Sequence, residues 1–502
     1  MLDRRAFIAG GGASLALLGT GSQLIAQGTT VTRRSVRGMT ANDPDLAAMS
    51  RAVAAMRALP RSDPRNWTRF ADIHRNFCPH GNWYFLPWHR AYLVSFEEIV
   101  RELSGKADFA LPYWNWTADR AFPAAFSAGD RSSNPLFHPR PGVARGLRLA
   151  DDMVGPQVIS RVMQSPDFEA FGSSRPQGQD SAAPRWQRRA GSRTELEFNP
   201  HDGVHQSIGG SMAVVDLASR DPVFFLHHAN VDRLWSSWNA RGNANSSEAI
   251  WRNFAFSRNF LAGDGSSWDV RVGELNSTPA LGYRYDGDDS PFAADVAMPV
   301  GDQVLERLRT YRRAVASGLL GSTAGVRRID IPSLGSVYVA STDNGGIGSR
   351  DKPLAVNVPL HRTLGEMLGE ESRLGPPSGD ATDRRNRRYV FAFMHDIELP
   401  LDPTTRVQTF VNCAELTPQT RIDDQSYATG VSLFGSEHSR HGAPADSGGA
   451  SLCIDLSQPL ARMGQPRGPR TDRLTVQLLP RCESNEAHVS NIRPRRVEVV
   501  VL

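Results

Sequence analysis

Seven of the thirteen histidines in this chain fall in two short, strongly apolar neighbourhoods, and that placement limits the folds open to it. The first holds His74, His80 and His89. The last two lie at either end of PHGNWYFLPWH, where Trp83, Tyr84, Phe85 and Trp88 crowd between them. The second holds His201 and His205 in HDGVH, then the adjacent pair His227 and His228 in DPVFFLHHANVDRLW. Burying an imidazole costs free energy unless it is hydrogen-bonded or coordinated. A chain that buries this many must gather several segments around a shared polar centre, and a metal site satisfies them together.

The spacing shows which segments those are. His201 and His205 are four residues apart, so on a helix both rings leave the same face. Such a pair alone is a weak signal, and gains weight because a second apolar helical pattern, 221–241, brings a further histidine pair. HRAYLVSFEEIVRELS (89–104) puts His89, Leu93, Phe96 and Val100 on one helical face. Residues 41–60 read as a helix with an Asn/Asp start and a Pro stop, and 199–209 as another. The Pro-, Gly-, Ser- and Arg-rich 120–195 reads as long surface loops with one short helix, and the chain from 242 to LGYRYDGDD as irregular. Beyond a charged helical stretch at 301–319, β-branched alternation takes over from 325: SVYVAS, RYVFAFMHDIEL, TRVQTFVNCAEL, DRLTVQLLP, RRVEVVVL. Short strands separated by turn residues argue for an antiparallel sandwich or barrel.

Composition excludes other classes. With 57 basic residues against 53 acidic ones the formal charge is only +4, and Lys106 and Lys352 are the only lysines. No dense basic block with interleaved aromatics is present, so nucleic acid is not an expected partner. The start, MLDRRAFIAGGGASLALLGTGSQLIAQG, sets Arg4 and Arg5 before a short Gly/Ala-rich run ending near Ala26. This reads as a twin-arginine export signal, too short and glycine-rich for a membrane span, and implies a periplasmic or secreted protein. Nothing else reads as transmembrane, so no membrane partner is expected. Four cysteines are too few for a disulfide scaffold; Cys413, Cys453 and Cys482 leave room for one bridge, whereas Cys78 stands among histidines.

Imidazole donors suit zinc, copper, iron and nickel. A catalytic zinc site often adds a carboxylate and a non-haem iron triad requires one, so paired all-nitrogen triads favour copper. Two three-coordinate cuprous ions leave open positions that one dioxygen molecule can share.

Over roughly 41–287 the chain resembles the type-3 dicopper family of tyrosinases, catechol oxidases and molluscan-type haemocyanins. CPHG with WHRAYLVSFEE, LPYWNW, ELEFNPHDGVH, DPVFFLHHANVDRLW and LGYRYD carry the likeness. The fold it implies is a mainly α catalytic domain, a helix bundle holding the dicopper site, followed by an antiparallel β-sandwich. The expected limits are a signal segment at 1–27, the catalytic domain at 28–290, a connecting region at 291–385 and the sandwich at 386–502, covering the active site. The first copper would be held by His74, His80 and His89, the second by His201, His205 and one of the adjacent pair. His227 and His228 leave a helix about 100° apart, and sequence alone does not choose between them. The family uses the second, so the resemblance assigns His228 and puts His227 behind it.

The resemblance implies further roles. Cys78, two residues before His80, would form a thioether to that imidazole, fixing the ring before metal binds. Phe224 would pack between copper ligands, and Gln206, Val215 and Phe224 would border the substrate entrance. Asp232, one turn after His228, would orient a ligand or pair with Arg90 or Arg233. Glu197 stands where the family keeps a water-holding Glu, and Asp202 where many phenol-hydroxylating members have Asn. Both are candidate catalytic residues, because a phenol with a pKa near 10 needs a base to reach copper as phenolate.

The implied activity is that of a tyrosinase, hydroxylating monophenols and oxidising o-diphenols to o-quinones with O2 on two copper ions. The alternatives are a catechol oxidase or o-aminophenol oxidase without monophenolase activity, and, less favoured, a haemocyanin-like oxygen-binding protein. Substrates would be tyrosine, dopa and catechols; a homo-oligomer is left open. The C-terminal unit resembles the β-sandwich covering the site in haemocyanin units and latent tyrosinases, and the sequence does not identify which residue enters the site.

Overall fold

The computed structural model describes residues 30–165, 167–176 and 191–287, and most strands and helices between 308 and 501. The export segment 1–27 lies outside the described residues.

Four helices frame the catalytic part: Pro44–Ala58, Trp67–Phe77, Phe85–Ser104 and Val223–Ala240. The first begins where the Asp43 carboxylate caps the Asp45 N–H, just inside the expected 41–60. The second carries His74 and begins at Asn66, whose side chain caps Thr68 and Arg69; its short pattern was not singled out in the sequence. Phe85–Ser104 starts four residues before the expected 89 and stops at Gly105, where φ is 73°. Its first four turns are buried on every side, which explains the run of aromatic residues between His80 and His89.

Segment 120–195 is more ordered than its composition implies. It holds a tight turn at Ala124–Phe126 and four short helices: Pro141–Ala144, Asp151–Val154, Pro156–Met163 and Phe168–Phe171. Proline at a first helical position is permissive, so the prolines that read as breakers start two of them. The expected irregular chain after 242 contains the hairpin Ala255–Leu261/Ser267–Arg271, and Tyr283–Tyr285 pairs in parallel with Val31–Arg33.

The C-terminal unit is a sandwich of two sheets. One orders Tyr427–Ser432, Arg406–Val411, Arg473–Arg481 and Leu354–Pro359. The other runs Ala450–Asp455, Val390–Ile397, Arg496–Val501, Gly335–Asp343 and Gly325–Ile331, and all pairings among these strands are antiparallel. Strands from Gly325 onward already belong to it, so the sandwich begins inside the 291–385 segment read as a connection. A sixth strand of the larger sheet comes from the catalytic part: Ser192 and Arg193 lie parallel to Ser451 and Leu452. The charged helix expected at 301–319 is helical at 308–313, its other residues lying outside the description. Cys413 and Cys453 are free thiols, and Cys482 lies outside the described residues.

The two central helices, Phe85–Ser104 and Val223–Ala240, are locked by a buried charge cluster. Asp232 accepts Arg90 Nε at 2.5 Å, Tyr283 Oη at 2.7 Å, Tyr285 Oη at 2.6 Å and Arg33 Nη1 at 3.4 Å. Arg33 also reaches Glu97 at 2.8 Å, and Glu97 accepts the Leu111 N–H at 2.8 Å. Phe96 stacks on Phe225 across the same helix pair at 3.7 Å. Asp232 is thereby held below its usual carboxylate range: burial opposes ionisation, and Arg90, Arg33 and the tyrosine hydroxyls more than offset it. Breaking such a pair from one side strands buried charge. Asp232→Ala should therefore cost about 3–5 kcal/mol, read as an earlier midpoint in urea unfolding of the full chain.

Candidate dinuclear metal centre

The sequence folds so that five of the six candidate ligand histidines have Nδ1 held from behind, the Nδ1 of His228 being buried with no hydrogen-bond partner. His74 Nδ1 meets the Val215 carbonyl at 3.1 Å, His89 Nδ1 the Phe85 carbonyl at 2.8 Å, and His205 Nδ1 the Met212 carbonyl at 2.8 Å. A carbonyl only accepts, so these rings carry their proton on Nδ1 and keep a lone pair on Nε2. His201 Nδ1 meets Asp202 Oδ1 at 2.8 Å, and His80 Nδ1 lies 3.4 Å from Cys78 Sγ. The Nε2 atoms of His89 and His201 are buried with no hydrogen-bond partner.

The two sets interlock. Ring centroids within His74, His80 and His89 are 5.3–5.6 Å apart, and within His201, His205 and His228 they are 4.7–5.4 Å apart. Between the sets, His89 stacks on His228 at 4.3 Å and His80 faces His201 at 5.8 Å. His205 Nε2 and His228 Nε2 approach to 3.2 Å. Burial pushes His89 and His205 down to about 3, and His201 and His228 well below their usual range. All are neutral near pH 7, as metal ligation requires.

Distance alone does not separate His227 from its neighbour, because potential ligand atoms of His201, His205, His227 and His228 all lie within 4.8 Å of one another. The proton does. The Trp116 indole N–H, which can only donate, points at His227 Nδ1 from 3.1 Å. The neutral ring must then carry its hydrogen on Nε2, which leaves no lone pair there for a metal. A second group of close ligand atoms is His74, Cys78 and His80, with the Cys78 sulfur directed at His80 rather than inward.

The local backbone serves this arrangement. Glu197–His201 forms a wide π-turn containing Pro200, which cannot donate to an ordinary helical bond, and Asp202–Ile208 continues it as α-helix. Of the residues expected at the entrance, Phe224 forms the floor instead: it is fully buried, 4.2 Å from His228 and 4.8 Å from His74 by ring centroid. Val215 is buried too and contributes its carbonyl to His74. Gln206 keeps both amide atoms buried without a partner.

Both candidate acids are engaged. Glu197 Oε1 accepts the Gly81 N–H and Oε2 the Ser173 hydroxyl, each at 2.6 Å. Asp202 Oδ2 accepts Arg193 Nη1 at 2.8 Å while Oδ1 faces His201. Burial raises Glu197 and pushes Asp202 well above the carboxylate range, opposed in both by Arg193. Asp232 pairs with Arg90 and Arg33 and touches no imidazole, while Arg233 bonds Asn230.

Sequence reasoning missed three participants. Trp116 lay inside a quoted motif without a role, and Arg193 sits four residues before Glu197 in a loop-like stretch. Phe434 carries no local signal. It comes from the C-terminal sandwich, buried, and stacks on His205 at 4.1 Å with an interplanar angle of 10°. It also meets His201 edge-on at 5.9 Å, so it covers His205 and His201 where Phe224 packs on His228 and His74.

A family model described as the common central domain of tyrosinase matches residues 64–195 and 149–241. Tyrosinase HcTyr1 of Hahella sp. (strain CCB-MM4) is 26% identical over 492 residues, covering 88% of this chain and 94% of that protein. The chloroplastic (+)-larreatricin hydroxylase of Larrea tridentata is 30% identical over 279 residues, 48% of this chain and 47% of its own length. The structure of latent apple tyrosinase superposes with a TM-score of 0.65 at 20% identity, covering 95% of this chain and 98% of the other, a likeness of fold. Residues 64–241 thus carry a tyrosinase common central domain, and with its interlocked imidazoles and mainly α unit capped by a sandwich the chain is similar to tyrosinases and polyphenol oxidases.

The tautomer argument makes a direct prediction. His228→Ala should lower copper from two ions per chain to about one, while His227→Ala should leave two; metal analysis of copper-loaded protein checks both.

Proposed function

We propose that this chain is a copper-dependent tyrosinase, hydroxylating monophenols and oxidising o-diphenols to o-quinones, and kept latent by Phe434. The observation that carries the reading is the pair of interlocked imidazole triads, in which main-chain carbonyls anchor Nδ1 of His74, His89 and His205 and turn Nε2 inward. The donor set fits copper: among the described residues no carboxylate joins the rings on their inner side. His74, His80 and His89 would hold one ion and His201, His205 and His228 the other. When bound, the copper pair supplies reduction of dioxygen coupled to oxidation of a phenol.

The protein's own residues do the rest. Phe224 and the Phe85 ring, 4.7 Å from His201, keep the centre dry. Asp202 holds a proton at His201 Nδ1, which keeps the Nε2 lone pair inward and strengthens that ligand. Glu197 braces the loop carrying His80 through the Gly81 N–H. Asp202 and Glu197 are therefore positioning residues, acting through ligands rather than on the phenol. This engagement is also what favours the second reading, a catechol oxidase, since both carboxylates already accept from protein donors. The names of the relatives, a tyrosinase and a (+)-larreatricin hydroxylase, support the first.

The Cys78 sulfur stands beside His80, as a Cys78–His80 thioether requires. Intact-mass analysis after copper loading should show a loss of two hydrogens that Cys78→Ser abolishes. Arg4 and Arg5 support export by the twin-arginine route to the periplasm or medium.

Phe434 occupies the face a phenol must use, so the full chain should be slow until the ring is displaced. Copper-loaded Phe434→Gly should oxidise catechols about tenfold faster or more, and should convert tyrosine to dopa and dopaquinone with oxygen uptake. Oxidation of catechols with tyrosine untouched would make the protein a catechol oxidase.

A further inference from the structure

The manner in which Phe434 is seated shows what else the site can hold. Its ring lies on His205, and its main-chain carbonyl accepts Arg193 Nη1 at 2.6 Å. The guest is thus more than a benzene ring. It is a ring joined through Cβ and Cα to a carbonyl, the skeleton of an aromatic α-amino acid.

Arg193 is fixed by contacts that do not depend on this guest. Its backbone is the edge strand paired with Leu452, and Nη1 also donates to Asp202 Oδ2 at 2.8 Å. Its Nε lies 3.9 Å from Glu197, and the side chain passes so close over Gly81 that a Cβ there would sit 3.3 Å from Nε. Arg193 is 7% exposed. When Phe434 withdraws, the guanidinium stays on Asp202, and the donation that Phe434 received becomes available to another acceptor. A buried donor built to be satisfied discriminates strongly against a guest that cannot accept.

We infer that Arg193 is a specificity-determining residue that recognises a carbonyl oxygen carried by the substrate's side chain. The preferred substrates are then phenols and catechols with an amino-acid skeleton: tyrosine, dopa and their amides, esters and peptides, ahead of amines with the same ring. Because Asp202 and Glu197 stand beside the guanidinium, the recognition does not require a substrate carboxylate; the carbonyl of Phe434 is itself neutral. The inference rests on the phenol-oxidase reading and adds the part of the substrate remote from copper.

The test compares guests that share a ring and an amine and differ in the carboxamide that carries the carbonyl. Calorimetry on the metal-free full chain with residues 433–435 deleted, which removes the Phe434 carbonyl together with the ring, should find phenylalaninamide bound about tenfold more tightly than phenethylamine. Adding Arg193→Gln should bring that ratio near one, and Arg193→Lys should restore part of it. In the copper-loaded chain with the same deletion, kcat/KM should favour dopa amide over dopamine by a similar factor. Being a ratio within one enzyme, it is unaffected by any general loss of turnover from a displaced His201. Equal binding of the two guests, or a ratio that survives Arg193→Gln, overturns the inference even if both catechols are oxidised. If no catechol is oxidised, the phenol-oxidase reading falls, and the calorimetric ratio still decides whether Arg193 reads the carbonyl.

Discussion

The Arg90–Asp232 ion pair sets the geometry on which the metal centre depends. Arg90 follows His89 directly, and Asp232 lies one helical turn after His228. Clamping these two side chains at 2.5 Å fixes the crossing of two helices within a few residues of a potential ligand on each. The stacking of His89 on His228 follows from that crossing, and with it the closeness of the two triads. Arg33, Glu97, Tyr283 and Tyr285 complete the cluster and tie in the strand at Val31–Arg33 and the chain's return at Tyr283–Tyr285. A buried charge cluster is a poor source of net stability, but it penalises every wrong crossing heavily. Here that specificity is what the centre requires.

A second layer of control is exerted through protons rather than distances. Val215, Phe85 and Met212 contribute only backbone carbonyls, yet they decide that His74, His89 and His205 present Nε2. Trp116 decides the opposite for His227. Of two adjacent histidines on one helix, His227 is thus committed by its surroundings to a proton on Nε2, whereas no donor holds His228 Nδ1 and its Nε2 lies 3.2 Å from that of His205.

Much of this was legible in the residues. The histidine spacings, the apolar faces around them and the β-branched alternation after 325 reflect local periodicity, and the architecture follows those patterns. The helices at Pro141–Ala144 and Pro156–Met163 were hidden because proline reads as a breaker unless its position in the first turn is known. The alternation from 325 was legible, but the domain limit at 386 fell late because the helix Arg362–Arg373 separates the first strands from the rest of the sandwich. Phe224 was expected at the entrance and lies on the floor, since periodicity gives a helix face but not its depth. Arg193 and Phe434 are separated by 241 residues and meet only through tertiary structure. No pattern within either segment could show that one holds the carbonyl of the other.

The strand Ser192–Arg193 has a further consequence. It joins the larger sheet over only two residues, so the cover shares backbone hydrogen bonds with the catalytic part but few of them. Long bare edges template the pairing of other chains, whereas very short ones do not. Detaching the cover along this seam would bare too little backbone to recruit a neighbouring chain. For the latent enzyme proposed above, whose cover has to come away without clumping, so brief a seam is well suited.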